Sequence, residues 1–489
     1  MNSPQEQSYK LISLIGLWLS VLSFGCSAGG KAPATEEARP NIILILADDL
    51  GYGDIGSYGQ KLISTPHLDR MAQQGIRFTQ HYAGSAVCAP SRSVLMTGQH
   101  TGHTPIRGNG SGKDYPMADS VLTLAELLKS AGYRTAMIGK WGLGMEGTSG
   151  EPNRQGFDLY YGYLNQILAH NYYPEYLLRN GKREPLNNEV HYRDSSGWHK
   201  GLGSYSTKQV DYSHDLFTTE ALRFIADGQA APFFLYLPYT IPHNNGEAPE
   251  GEKWEVPDFG EYADKPWTPT QKAYAAMITR LDRDVGRIVD QVRKAGQEDN
   301  TLIIFTSDNG PETAEFFTMF DSNGPLRGGK RDLYEGGIRV PFIAYWPGTI
   351  TAGQVTDQVS ASWDLFPTLG DVAGVSSMPP RDGISLLPTL IGEEEPLQHD
   401  YLYWEFAEMD GRVAIRQGDW KAVKYNYFAQ PDASFELYDL SNDLGESKNV
   451  AAEHPEVVEQ MEAIVTKART PSADFPLTQS ERMTSDTQK

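Results

Sequence analysis

Cysteine is nearly absent from this chain: 489 residues hold two, Cys26 and Cys88. A disulfide framework is excluded, and a single bridge would use up both thiols. Basic charge is also short. Lys and Arg total 42 against 63 Asp and Glu, a net charge of −21, which argues against nucleic acid as a partner. An acidic protein that binds an anion must hold it with cations focused locally in a cleft. Long apolar runs are scarce too: residues 11–25, after Lys10, fall short of the about 20 residues of a membrane span and suit the core of a signal peptide. No internal repeat runs through the chain, which sets aside solenoids and propellers.

Aromatic residues are plentiful, with 26 Tyr, 18 Phe and 9 Trp, enough for a large core. One large domain with a smaller appendage is the expectation. Residues 1–25 read as a signal peptide. Cys26 follows it directly, after the small Gly25, and the stretch 26–39 is rich in small and polar residues. That order reads as a lipoprotein cleavage and lipidation site with a flexible tether; Ser23 and Phe24 depart from the usual pattern, so cleavage by ordinary signal peptidase is the alternative. Either route exports the protein, to the periplasm or surface of a bacterium, with membrane contact only through a lipid on Cys26. Removing residues 1–25 takes away Glu6 and Lys10 and leaves the charge unchanged.

Residues 41–47 (Asn-Ile-Ile-Leu-Ile-Leu-Ala) form a β-branched run, the pattern of a strand buried on both faces of a parallel sheet. Helices are predicted over 68–75, 123–132, 217–227 and 273–295, and strands over 134–138, 232–237 and 301–306. This alternation marks an α/β fold with a doubly wound sheet spanning residues 40–395. Residues 151–215, rich in Tyr, Asn, Gly and His, read as an elaborated loop layer over that sheet. From 396 to 489 the pattern changes to short strands at hairpin spacing (401–406, 412–416, 420–425, 435–438) and a closing helix over 455–468, a smaller antiparallel sheet plus helix.

The string Cys88-Ala89-Pro90-Ser91-Arg92, followed by Leu95 and by Thr97-Gly98, resembles the signature C-x-P-S-R-x-x-L-x-T-G of the type I sulfatases. The match extends over most of 40–388 and to Glu436-Leu437-Tyr438-Asp439-Leu440. The resemblance implies an alkaline phosphatase-like fold and a sulfatase that hydrolyses sulfate esters. It also implies that a separate formylglycine-generating or sulfatase-maturating enzyme oxidises Cys88 to 3-oxoalanine (formylglycine), whose aldehyde hydrates to a geminal diol. One hydroxyl attacks sulfur; the other later loses its proton so that C=O reforms and sulfate leaves. A serine would stay sulfated.

Ligands in open α/β sheets lie beyond the carboxyl ends of the strands. Asp48-Asp49 follow one predicted strand and Asp308-Asn309 another, and four oxygen side chains at one edge suit a hard cation. The resemblance implies one calcium ion, Ca2+, bound by Asp48, Asp49, Asp308, Asn309 and modified Cys88. It carries Arg92 over as the partner of the hydrated aldehyde, Lys140 as a contact to sulfate and nucleophile, and Lys330 as the lysine near the leaving oxygen. Glycines beside both lysines are expected to allow close approach to a ligand. His243 carries over as the group that contacts or protonates the leaving alcohol. The family string G-K-W-H-x-G reads Gly139-Lys140-Trp141-Gly142-Leu143-Gly144 here, so a histidine is missing at 142. His170 is the candidate replacement or sugar contact, and His103 stands behind it.

The substrate implied is a sulfated carbohydrate, with Tyr161, Tyr163, Tyr172, Tyr173 and Trp198 as residues that could stack on sugars or simply pack. Two alternatives are a phosphate or phosphonate hydrolase of the same superfamily and a glycan-binding lipoprotein with an inactive sulfatase domain.

Overall fold

The computed structural model describes residues 39–110, 115–193, 201–228, 231–393 and 397–487. Cys26, the signal and tether segments and Trp198 lie outside them. Asn41–Ala47 is the central strand of a ten-stranded mixed sheet. It pairs in parallel with Thr301–Ser307 on one side and Phe233–Pro238 on the other. Beyond Phe233–Pro238 come Arg134–Lys140 and Leu159–Tyr163, both parallel. Its side chains alternate in destination. Ile43 and Ile45 join one core and Ile42, Leu44 and Leu46 the other, which is why the run carries no polar residue after Asn41.

Helices cover both faces. Pro269–Lys294 starts with a capping box in which Thr268 accepts from the N–H of Gln271, and Pro269 stands where the missing N–H costs nothing. Met277, Ile278, Leu281, Val285, Ile288 and Val292 recur at helical spacing and bury one stripe. Leu281→Ala would cost about 2–5 kcal/mol.

The segment 151–215 differs from the expected loop layer. Leu159–Tyr163, Tyr176–Arg179 and Lys182–Pro185 extend the main sheet at its edge, and Glu189–Tyr192 pairs with Ser204–Lys208. Tyrosine-rich stretches without clean alternation hid these strands; tyrosine is itself a strand former.

Leu402–Phe406, Arg412–Gln417, Trp420–Lys424 and Glu436–Asp439 form a four-stranded antiparallel sheet in sequential order. Its two faces follow the period of two. Tyr403, Val413, Ile415, Ala422 and Leu437 pack with Met461, Ile464 and Val465 of helix Pro455–Lys467. Trp404, Ala414, Val423 and Tyr438 pack with Tyr82, Val87, Val94 and Trp363, so this sheet backs the residue that precedes Cys88.

Candidate functional site

Helix Cys88–Thr97 is buried along its whole length and presents Cys88 in its first turn. Asn109 Oδ1 accepts the N–H of Ala89 at 3.1 Å. Arg92, one turn further, lies on the same helix face. Its guanidinium donates to Asp308 Oδ2 at 3.2 and 2.8 Å and to the carbonyl of Lys140, so it ties the nucleophile helix to two strand ends.

Asp48 and Asp49 leave the end of the central strand. Asp49 adopts φ 65°, a conformation that aspartate tolerates better than most residues. Asp48 Oδ1 accepts from Cys88 Sγ at 3.4 Å and Oδ2 from Lys140 Nζ at 2.6 Å. Asp49 Oδ2 accepts from Lys330 Nζ at 2.7 Å, and Oδ1 from Asn309 Nδ2 at 2.7 Å. Its N–H donates to Asp308 Oδ1 at 3.1 Å. Lys330 also donates to His243 Nε2 at 2.8 Å and to Glu312 Oε2 at 3.1 Å. The chain thus gathers Cys88, Arg92, Lys140, His243, Lys330, Asp48, Asp49, Asp308 and Asn309 into one buried cluster.

Burial alone would raise every carboxyl here, and the cations decide which one escapes. Lys140, with His243, Arg92 and Lys330, overcomes burial and holds Asp48 well below the usual carboxylate range. Asp49 is pushed up to about 7 by burial and by neighbouring Asp48, with Lys330 pulling against them. Burial likewise pushes the Cys88 thiol up, so without modification it is a protonated thiol rather than a thiolate nucleophile.

Asn309 spends Nδ2 on Asp49 and on the Gly310 carbonyl, while its Oδ1 is buried without a partner. An orphaned buried acceptor costs about 1–3 kcal/mol. A hard cation among Asp48, Asp49, Asp308 and Asn309 would satisfy it. His243 Nδ1 donates to the Asn244 carbonyl at 2.5 Å, and its Nε2 is taken by Lys330. The fitting set is therefore all oxygen.

His170 stacks on His243, ring centroids 4.7 Å apart at 17°, and its Nδ1 lies 3.1 Å from Glu247 Oε2. It joins the cluster at His243. His103 does not. It stacks on His100 instead, with Nδ1 3.0 Å from Asp382. The group His100, His103 and Asp382 is a poor metal site as well. His100 Nδ1 accepts the N–H of Gly102, so the ring proton sits on Nε2, where a metal would need the lone pair.

Of the two roles open to the tyrosines, the structure shows packing. Tyr161, Tyr163, Tyr172 and Tyr173 are at most 5% exposed and pack on Phe217 and Tyr212. Tyr172 supports the site instead, donating to the carbonyls of Thr240 and His243. The glycines serve close packing, not a ligand: a Cβ on Gly139 would strike the Pro238 carbonyl at 2.0 Å, and one on Gly329 the Phe317 ring at 2.4 Å. Glu312 was missed, although it follows Asn309 by three residues in the same loop and bridges Lys330 and Arg331.

A family model described as Sulfatase matches residues 40–375, and one described as N-sulphoglucosamine sulphohydrolase, C-terminal, matches 328–470. The chain belongs to the sulfatase family. It is 34% identical to human arylsulfatase A, covering 87% of each chain. It is 31% identical to the N-acetylgalactosamine-6-O-sulfatase of Bacteroides thetaiotaomicron, over 90% of this chain and 95% of that one. The crystal structure of Ps i-CgsB in complex with k-i-k-neocarrahexaose superposes with a TM-score of 0.73 and 30% identity, covering 88% of this chain and 92% of that one. This sulfatase is an enzyme of sulfate ester hydrolysis, built on an alkaline phosphatase-like fold.

Proposed function

We propose that this sulfatase removes sulfate from a carbohydrate, with formylglycine made from Cys88 as nucleophile and one calcium ion at the strand ends. The observation that carries the reading is the unpartnered Asn309 Oδ1 beside Asp49 and Asp308, with Asp48 linking that group to Cys88. Formylglycine supplies a diol, one hydroxyl to attack sulfur and one to release it. Calcium, held by Asp48, Asp49, Asp308, Asn309 and residue 88, supplies positive charge that an acidic protein otherwise lacks.

The chain's own groups do the rest. Lys140 and Lys330 are buried ammonium groups in reach of a sulfate in contact with residue 88, and Arg92 fixes the helix that carries it. Glu312 and Asp49 hold Lys330 in place. Lys330 Nζ is the protonated group placed to give a proton to the leaving oxygen, and His243, whose Nε2 accepts from it at 2.8 Å, holds it there. Glu247 fixes the tautomer of His170, whose ring packs against His243. A carbohydrate substrate is supported by the relatives named for N-acetylgalactosamine-6-sulfate and neocarrahexaose, and export by the apolar segment 11–25.

The intact mass of the peptide carrying residue 88, from protein made with a maturating enzyme, should show aldehyde in place of thiol. Sulfate should then be released from a sulfated galactosamine or carrageenan oligosaccharide faster than phosphate from the matched phosphate ester. An unmodified Cys88 in fully active protein would overturn the nucleophile; equal phosphate release would overturn the substrate class.

A further inference from the structure

The side chain missing at residue 142 has a substitute in the fold. Strands Arg134–Lys140 and Leu159–Tyr163 run parallel with Lys140 opposite Tyr163. The pairing continues past both ends, where the Trp141 N–H donates to the Tyr163 carbonyl at 2.9 Å and that of Gly142 to Leu164 at 3.0 Å. Gln166 follows two residues later. A Cβ built on Gly142 would meet Gln166 Cγ and Nε2, both at 3.1 Å. The volume into which a side chain at 142 would grow therefore holds a carboxamide. Gly142 has φ 84°, which favours glycine, so the backbone and the neighbour agree.

Gln166 is fixed in place but chemically unengaged. Asn165 Oδ1 accepts the N–H groups of Ile167 at 2.8 Å and Leu168 at 3.2 Å, pinning the turn. Gln166 is half-buried, and no protein group among the described residues bonds its carboxamide. Gly142 stands two residues past Lys140, whose Nζ shares Asp48 with Cys88 Sγ and whose carbonyl accepts from Arg92, so this half-buried amide brings four unused hydrogen-bonding positions to the flank of the nucleophile helix. The same turn leads into His170, so one loop brings an amide against Gly142 and an imidazole against His243.

We propose that the Gln166 carboxamide donates a hydrogen bond to the hydrated aldehyde at residue 88, from the space beside Gly142. The proposal rests on the formylglycine reading above. An amide can hold a hydroxyl but takes no proton near neutral pH. Positioning of the diol thereby falls to Gln166, and acid–base work stays with Lys330 and His243.

The test reads the aldehyde directly as well as turnover. Calcium-loaded protein is treated with methoxyamine, which captures free aldehyde but not its hydrate, and labelling at residue 88 is followed by mass. Losing a hydrogen bond to the hydrate should speed labelling about 3- to 10-fold in Gln166→Ala, and kcat should fall by a similar factor or more. Gln166→Met fills the same space without polar atoms and should behave alike, with an unchanged unfolding temperature. Gln166→His should restore kcat and add a titration near pH 6.5 to its pH profile. Wild-type labelling rate and kcat in both the Ala and Met variants would overturn the Gln166 contact. No labelling in any protein, wild type included, would sink the formylglycine reading and this contact with it; Cys88→Ala serves as the blank.

Discussion

Beneath the C-terminal sheet, Lys421 Nζ donates to Glu335 at 2.7 Å and lies 3.4 Å from Glu446, while Arg339 and Tyr82 close on the other Glu335 oxygen. At the strand ends, Asp48, Asp49 and Asp308 meet Arg92, Lys140 and Lys330. Both clusters are buried and both use the same side chains. They differ in balance. In the first, Lys421, Arg339 and Arg416 outweigh burial and hold Glu335 down at about 2, while burial leaves Glu446 at about 7 with Oε1 accepting no hydrogen bond. In the second, burial and neighbouring carboxylates leave Asp49 at about 7, and Asn309 Oδ1 has no donor. The first sets Lys421, Arg339 and Arg416 against Glu335 and Glu446 and joins two sheets; the second sets Arg92, Lys140 and Lys330 against Asp48, Asp49, Asp308 and Glu312, a surplus of carboxylates that suits a cation.

That contrast breaks most sharply at the nucleophile. Cys88→Ala should lower turnover by at least about 10⁴-fold with no loss of unfolding temperature, since it removes no support from either sheet. Retained steady-state release of sulfate would refute the role of residue 88. Next in size, calcium removal or Asp308→Ala should cost more than about 10²-fold in kcat. Calcium should rescue the chelated wild type and not the variant; full activity in protein shown metal-free by elemental analysis would count against the cation.

The C-terminal cluster should respond the other way. Lys421→Met leaves Glu335 and Glu446 buried with one partner fewer and should destabilise by about 3–5 kcal/mol, with kcat per folded molecule unchanged. Denaturant unfolding and active-site titration together check it, and a selective loss of kcat would erase the distinction between the clusters. The smallest effect is one of pH. Because Asp49 has a raised pKa in the folded, calcium-free protein, unfolding releases its proton, and stability should fall as pH rises from about 4 through 7. The slope is of order 1 kcal/mol per pH unit. Calcium keeps Asp49 ionised, so the stabilisation it gives should grow across that window and level off above it. A calcium effect on unfolding temperature that is flat between pH 5 and 7 would place the shift elsewhere.

Much of this was legible in the residues themselves. The apolar run ending in Asp48-Asp49, the signature around Cys88, and Asp308-Asn309 after a second strand point to one sheet edge, because a parallel sheet brings all its carboxyl ends to the same side. The C-terminal hairpins were equally plain, since period-two alternation survives where each face meets a different core. The strands within 151–215 were not: the tyrosines of Leu159–Tyr163 are buried on both sides and give no alternation to read, and Lys182–Pro185 and Glu189–Tyr192 are largely exposed and bury no apolar face.

What only the tertiary structure decided concerns partners far apart in the chain. Position 142 showed a missing histidine, but that Gln166 fills its place depends on the registry of two strands. That His170 sits on His243, that His103 goes to Asp382 and His100, and that Tyr161, Tyr163, Tyr172 and Tyr173 face the core rather than a sugar all follow from packing. A sequence fixes which chemistry each side chain can do and, through its periodicity, which face it occupies. Which groups meet across loops, and which buried atom is left without a partner, is settled only when the whole core closes and each polar group must find its donor or go without.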